Sequence, residues 1–227
     1  MEPILVVIPA YNSESSLGNV IAKIRHHLKE SGNPYEILVV NDGSTDLTAE
    51  IATGLGVLLV NHAQNLGKGE ALKSAFQYAS RNKYAVIATI DSDLQHDPSS
   101  LPPMLALFMS GNYDLVIGAR QFKVNKMSLS RIISNRLTSW LVSLRAKQPI
   151  LDSQSGYRVI RTAAISNITL KTSHFETESE ILIRLAQNHC RIGFYPIDTL
   201  YAGEKSHIRH LQDTLRFIKM YLGTIFH

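Results

Sequence analysis

The chain has 227 residues, a net charge of +4 at neutral pH and one cysteine, Cys190. That length suits one large domain or two small ones around a sizeable core, and the charge favours an anionic partner: a phosphate, a membrane surface or nucleic acid. The lone cysteine excludes an internal disulfide and a cysteine-rich zinc site, no uninterrupted apolar run reaches the roughly 20 residues that span a bilayer, and Met1 runs into strand-like Ile4–Ile8 without a basic leader, so a cytoplasmic location is expected.

In chain order, apolar periodicity predicts a strand at 3–9 and a helix at 14–30 capped by Ser13 or Ser15. A strand at 36–41 leads through Asp42-Gly43-Ser44-Thr45-Asp46 into a helix at 46–54, and a strand at 57–61 leads through Asn65-Leu66-Gly67-Lys68-Gly69 into a helix at 69–80. The run Tyr84–Ile90 then ends in Asp91-Ser92-Asp93-Leu94-Gln95. If the chain stays extended there, Asp91 and Asp93 point the same way and can reach one hard cation that also holds a diphosphate, with Gln95 adding a neutral oxygen. A helix at 98–110 and a strand at 114–118 follow. Such β-α-β-α order implies a parallel sheet covered on both faces, with ligands at the carboxyl ends of its strands. Neither glycine loop has Walker spacing and no G-x-G-x-x-G follows the first strand, which disfavours a P-loop ATPase and a dinucleotide dehydrogenase.

Between Asp114 and Asp152 stand Arg120, Lys123, Lys126, Arg131, Arg136, Arg145 and Lys147 with no acid among them. Met127, Leu129, Ile132, Ile133, Leu137, Trp140, Leu141 and Leu144 interleave at near-helical spacing. That pattern fits a basic amphipathic helix on anionic lipid, or a core helix with a solvated basic back. Nucleic acid is disfavoured, because no aromatic stacking platform accompanies the charges. A helix opens at Phe175-Glu176-Thr177-Glu178, a strand covers 191–196, and a final helix at 207–225 carries Leu211, Leu215, Ile218, Leu222 and Ile225 along one side, to dock on the domain or lie on a bilayer.

Five motifs together, Pro9-Ala10-Tyr11-Asn12, Asn41 to Asp46, Asn65 to Gly69, Asp91 to Pro98 and Val116-Ile117-Gly118-Ala119-Arg120, resemble in order and spacing the family 2 glycosyltransferases of the GT-A fold, and within them the dolichyl-phosphate and polyprenyl-phosphate sugar synthases. The resemblance implies a mixed, mostly parallel sheet flanked by helices, a nucleotide-binding half joined to an acceptor-binding half. It divides the chain into a transferase domain at 1–205 and an amphipathic helix at 206–227. It also implies inverting transfer from a nucleotide diphosphate sugar to a lipid phosphate at the inner membrane face, with Mg or Mn as cofactor. A separate membrane subunit or a second copy of the chain is left open as a further partner. Carried residue by residue, it puts Pro9, Tyr11, Asp42 and Asp91 at the donor, Asp91, Asp93 and Gln95 at the metal, and Asp93 and Arg120 at the chemistry; Glu14, Lys68, Ser92, Arg158 and Lys205 are further donor-side candidates, and Arg131 of the acid-free basic segment joins Arg120 at the acceptor phosphate.

The chain departs from that pattern where Ser13 replaces the family's Glu, with Glu14 one place later, and where Thr199 replaces an Arg upstream of Tyr201 to His207. Asp152-Ser153-Gln154-Ser155-Gly156-Tyr157-Arg158 resembles the signature of the second half. A phosphate monoester, with a second pKa of about 6, is already an anionic nucleophile and needs cations more than a base. Were the acceptor a hydroxyl, Glu176 or Glu178 is the candidate base. A hydroxyl-directed transferase and a non-catalytic sugar-nucleotide or membrane-binding module are the competing readings.

Overall fold

The computed structural model describes residues 3–29, 32–121, 129–198 and 210–224, side chains 129–131 and 210–211 excepted. The first half alternates as expected: β1 (Ile4–Ala10), α1 (Leu17–Lys29), β2 (Tyr35–Asn41), α2 (Thr48–Gly54), β3 (Leu58–Asn61), α3 (Lys68–Arg81) and β4 (Val86–Thr89). After a short 3-10 turn at Pro98–Ser100 come α4 (Leu101–Ser110), β5 (Leu115–Arg120), α5 (Leu129–Ala146), β6 (Arg158–Arg161), α6 (Thr162–Ser166), α7 (Glu176–Gln187), β7 (Ile192–Ile197) and α8 (His210–Gly223). Helix α1 starts later than expected because residues 12–14 are committed to another loop, described below. It then buries Leu17, Val20, Ile21, Ile24 and Leu28, the stripe of an amphipathic helix.

The seven strands form one sheet in the order β3-β2-β1-β4-β6-β5-β7. Pairing is parallel except at β6, which runs antiparallel between β4 and β5, with Thr89 opposite Arg158 and Ile117 opposite Arg158 from the other side. The parallel strands therefore end at one edge, whereas β6 begins there. Its preceding segment, Asp152–Tyr157, is delivered to the same edge as the ends of β1, β2, β4 and β5. The strands are apolar on both faces because both are covered. Leu5, Val7, Leu38, Val40 and Ile87 pack under α3, α5, α6, α7 and α8, while Ile4, Val6, Ile8, Val39 and Ala88 pack under α1 and α4.

Among the described residues, no helix is long and apolar enough to cross a membrane. Helix α8 does dock on the domain: Met220 is buried and Phe217 and Tyr221 pack on the core. The apolar side read from its sequence is the outward one, with Leu215, Ile218 and Leu222 about half exposed.

Candidate active site

At the end of β1, Pro9 is buried in the sheet and Tyr11 is 43% exposed. Asn12 adopts a left-handed conformation (φ 49°), which turns the chain toward the loop after β2. Its backbone N–H donates to Ser44 Oγ (2.9 Å), and its Oδ1 accepts from Thr45 N (2.9 Å). Glu14 accepts from Leu47 N at 3.0 Å, and its own N–H donates to Asp46 at 3.0 Å. Glu14, expected at the donor, thus cross-braces two loops. Ser13, standing where the family has Glu, lies with its Oγ 2.8 Å from Ser92 Oγ and ties the first loop to the acidic one.

Asp42, expected at the donor, is tied into the neighbouring loop. It is 3% exposed, and its oxygens accept from Leu66 N (3.0 Å), Gly67 N (2.8 Å) and His62 Nδ1 (2.7 Å). His62 in turn lies 2.9 Å from Ser74 Oγ on α3. Asp42 thereby anchors the Asn65–Gly69 loop. Gly43 beside it is in the left-handed region (φ 68°), and a Cβ there would fall within 2.6 Å of the Gln64 and Asn65 backbone. Both constraints require glycine.

Strand β4 stops at Thr89, and the acidic motif does not continue extended: residues 92–94 turn, with Leu94 left-handed (φ 60°), so that Gln95 N–H donates to Asp93 Oδ1 at 3.0 Å. The premise that extension alone aligns Asp91 and Asp93 is therefore corrected; a turn gathers Asp91, Ser92, Asp93 and Gln95, all partly exposed, at the sheet edge. Lys68, at the start of α3, places Nζ 2.6 Å from Asp91 Oδ1 and 2.6 Å from Glu178 Oε1 on α7. Burial alone would lower the lysine pKa, but the two carboxylates outweigh it and raise it above its ordinary value. Burial likewise pushes the Asp91 pKa up, and the Lys68 charge overrides that, leaving it below the usual carboxylate range. His96, 4% exposed with Nε2 3.8 Å from Asp91 Oδ2, is pushed down by burial to about 4 and is neutral.

Gly156 leaves room for this ion pair. A Cβ there would lie 2.7 Å from Lys68 Nζ and 2.8 Å from both Asp91 oxygens. Among the described residues no three His, Cys, Asp or Glu side chains gather to hold an ion unaided. Two carboxylates and an amide fit a hard ion held jointly with a ligand's phosphates, the usual way magnesium is bound.

Arg120, ending β5, is gripped by Asp152: Nε donates to Oδ2 at 2.7 Å and Nη2 to Oδ1 at 2.9 Å. Asp152 is fully buried. Burial would raise its pKa, but hydrogen bonds from Arg120 and Asn135 hold it below the ordinary value. Arg158, expected at the donor phosphate, is 2% exposed and donates to the carbonyls of Ser155 (2.8 Å), Glu178 (2.9 Å) and Ser153 (3.2 Å). The guanidinium ties β6, α7 and the Asp152 turn together, because a buried backbone carbonyl must find a donor. The Arg131 side chain, Lys123, Lys126 and Lys205 lie outside the described residues.

Of the two arrangements left open for α5, an apolar face turned outward and one packed on the core, the described side chains display the first. Ile133, Leu137, Trp140 and Leu144, one stripe at 4-3-4 spacing, are each more than half exposed. Asn135 and Ser139 are buried beside Ile132 and Val142. Ser139 Oγ accepts from Ser153 N (3.0 Å) and Ser143 Oγ from Ile150 N (2.9 Å), so the polar face seals the 150–154 turn. Sequence reading missed the roles of Asn135, Asp152 and Gly156. The spacing of Asn135, Ser139 and Ser143 by four carried the signal for the first of them.

Residues 5–169 match the model of the Glycosyl transferase family 2 domain. The chain belongs to that family. It is 29% identical to a UDP-N-acetylglucosamine–dolichyl-phosphate N-acetylglucosaminyltransferase of Methanococcus voltae, over 87% of this chain and 86% of that one. To a dolichol-phosphate mannosyltransferase of Pyrococcus furiosus it is 30% identical over 79% of its length, spanning about half, 52%, of that larger protein. A glucosyl-3-phosphoglycerate synthase of Mycobacterium tuberculosis, solved with Mn2+ and UDP-glucose, superposes with a TM-score of 0.74 at 22% identity, covering 99% of this chain and 78% of that one. The fold of this glycosyltransferase is GT-A: a mixed, mostly parallel seven-stranded sheet flanked by helices.

Proposed function

We propose that this glycosyltransferase moves a sugar, with inversion, from a nucleotide diphosphate sugar to a polyprenyl-type lipid phosphate at a membrane surface. The observation that carries the acceptor assignment is the two-sidedness of α5. Its outer face shows Ile133, Leu137, Trp140 and Leu144, with Arg136 among them and no acid from Leu115 to Leu151, while its inner face reaches through Asp152 to Arg120. A helix that is apolar outward and basic alongside suits the headgroup boundary of an anionic bilayer. The relatives named for dolichyl phosphate point to the same acceptor class.

On this reading Tyr11 and Ser92 line the donor side, with Pro9 buried in β1 two residues before Tyr11, and Asp91, Asp93 and Gln95 would hold Mg or Mn together with the donor diphosphate. Such an ion neutralises charge growing on the leaving group. Lys68, paired with Asp91, adds a fixed cation at the same edge. The acceptor phosphate attacks as an anion, so Arg120 orients it and no side chain need take a proton. Glu178, already ion-paired to Lys68, is not required as a base.

The test is transfer from UDP- and GDP-sugars, with Mn, to polyprenyl phosphate in anionic liposomes, comparing the wild type with the double variant Leu137→Glu, Trp140→Glu. The variant should lose most liposome binding and transfer while keeping its melting temperature. Equal transfer by both proteins, or wild-type transfer to soluble sugar alcohols only, overturns the lipid-phosphate reading. Absence of any nucleotide-sugar turnover favours the non-catalytic alternative.

A further inference from the structure

A fully buried carboxylate is tolerated only when its lone pairs are met, and Asp152 meets them unequally. Oδ2 accepts from the Arg120 backbone N–H (3.2 Å) and Nε (2.7 Å), whereas Oδ1 accepts from Arg120 Nη2 (2.9 Å), Gln154 N–H (3.2 Å) and Asn135 Nδ2 (3.0 Å). Arg120 ends β5 and Gln154 belongs to the same turn as Asp152, whereas Asn135 reaches in from α5 and is 1% exposed. Its amide orientation is set by its partners: Nδ2 also donates to Gln154 Oε1 (3.2 Å), and Oδ1 accepts from Ser139 Oγ (3.4 Å). A flipped amide would turn its oxygen toward the carboxylate.

The residue type matters for charge. A lysine or arginine at 135 would compete with Arg120 for Asp152, and an acid would repel it. A neutral amide fixes the carboxylate's rotamer without drawing it from the guanidinium.

We propose that Asn135 is a positioning residue for acceptor capture: from the buried face of α5 it holds Asp152 in the orientation that aims Arg120. The helix whose outer stripe faces the bilayer thereby also sets the guanidinium that meets the acceptor phosphate. This inference rests on the lipid-phosphate reading above and assigns a residue that neither the composition of the motif nor the apolar pattern of the helix marked.

The experiment is a steady-state comparison of Asn135→Ala and Asn135→Ser on polyprenyl-phosphate liposomes, each in the wild-type and Arg120→Lys backgrounds, with urea unfolding alongside. Losing one hydrogen bond to a buried charge should raise KM for the lipid phosphate about tenfold. Donor KM and kcat at saturating acceptor should stay within about twofold, and in the Arg120→Lys background the effect should vanish, because residues acting through one group are not additive. Asn135→Ser, which keeps a short donor, preserves the test if Asn135→Ala does not fold. A uniform fall in kcat with unshifted acceptor KM, or an undiminished effect in the Arg120→Lys background, overturns the positioning role. Wild-type failure to use lipid phosphate refutes the functional reading and this role with it; wild-type transfer with an unshifted variant KM refutes only this role.

Discussion

Replacing Gly156 with alanine tests whether the acidic edge of the sheet is built to tolerance. The new methyl would sit 2.7 Å from Lys68 Nζ and 2.8 Å from Asp91 Oδ1 and Oδ2, where ordinary contact begins at 3.4 Å. Neither obstacle is backbone, so the fold survives, at an overpacking cost of about 1 to 3 kcal/mol. The carboxylate must retreat by about 0.6 Å and the ammonium by about 0.7 Å, whereas metal–ligand distances tolerate only about 0.2 Å. Losing one charge-assisted contact of about 1.5 to 3 kcal/mol weakens donor binding in the presence of Mn by roughly ten- to a hundredfold. Calorimetric titration of UDP- and GDP-sugars with Mn measures this, with urea unfolding to correct for stability. Gly54→Ala on α2, where a Cβ meets nothing within 4 Å, is the control. A folded Gly156→Ala protein with wild-type donor affinity refutes the argument that Asp91, held by Lys68, belongs to the donor and metal site.

Two further outcomes are expected. Arg158→Lys gives up donors to three buried carbonyls and should lower stability by about 2 to 4 kcal/mol in urea titrations, with donor affinity per folded molecule unchanged; preserved stability with lost donor binding would restore Arg158 to the phosphate site. His96 has a folded pKa of about 4, below its value in the unfolded chain, so the unfolded state binds the extra proton as pH falls from 6.5 to 4; stability of the ligand-free protein should drop by about 3 kcal/mol across that window, and a His96→Gln variant that keeps the same slope would refute the assignment.

The sequence alone determined the layer architecture, because periods of 2 and 3.6 residues and the order of strands and helices depend on local pattern: β1, β2 and α3 lie within two residues of their expected bounds. It also placed Asp91, Asp93 and Arg120 at the carboxyl edge of the sheet, since each stands at or just past the end of a parallel strand. What it did not settle was the work of individual polar groups. Glu14, Asp42 and Arg158 carry charges that look available in a string of letters, yet they are met by backbone groups 24 to 33 residues away for Glu14 and Asp42, and by carbonyls of the 153–155 turn and of α7 for Arg158. Only the antiparallel insertion of β6 brings Asp152 and Gly156 to Arg120, Lys68 and Asp91. On α5, periodicity identified a two-faced helix but not which face turns inward. The neighbouring 150–154 turn decided that, because its buried carboxylate and backbone N–H groups require the hydroxyls and amide of Asn135, Ser139 and Ser143, and the leucines and tryptophan are left on the outside.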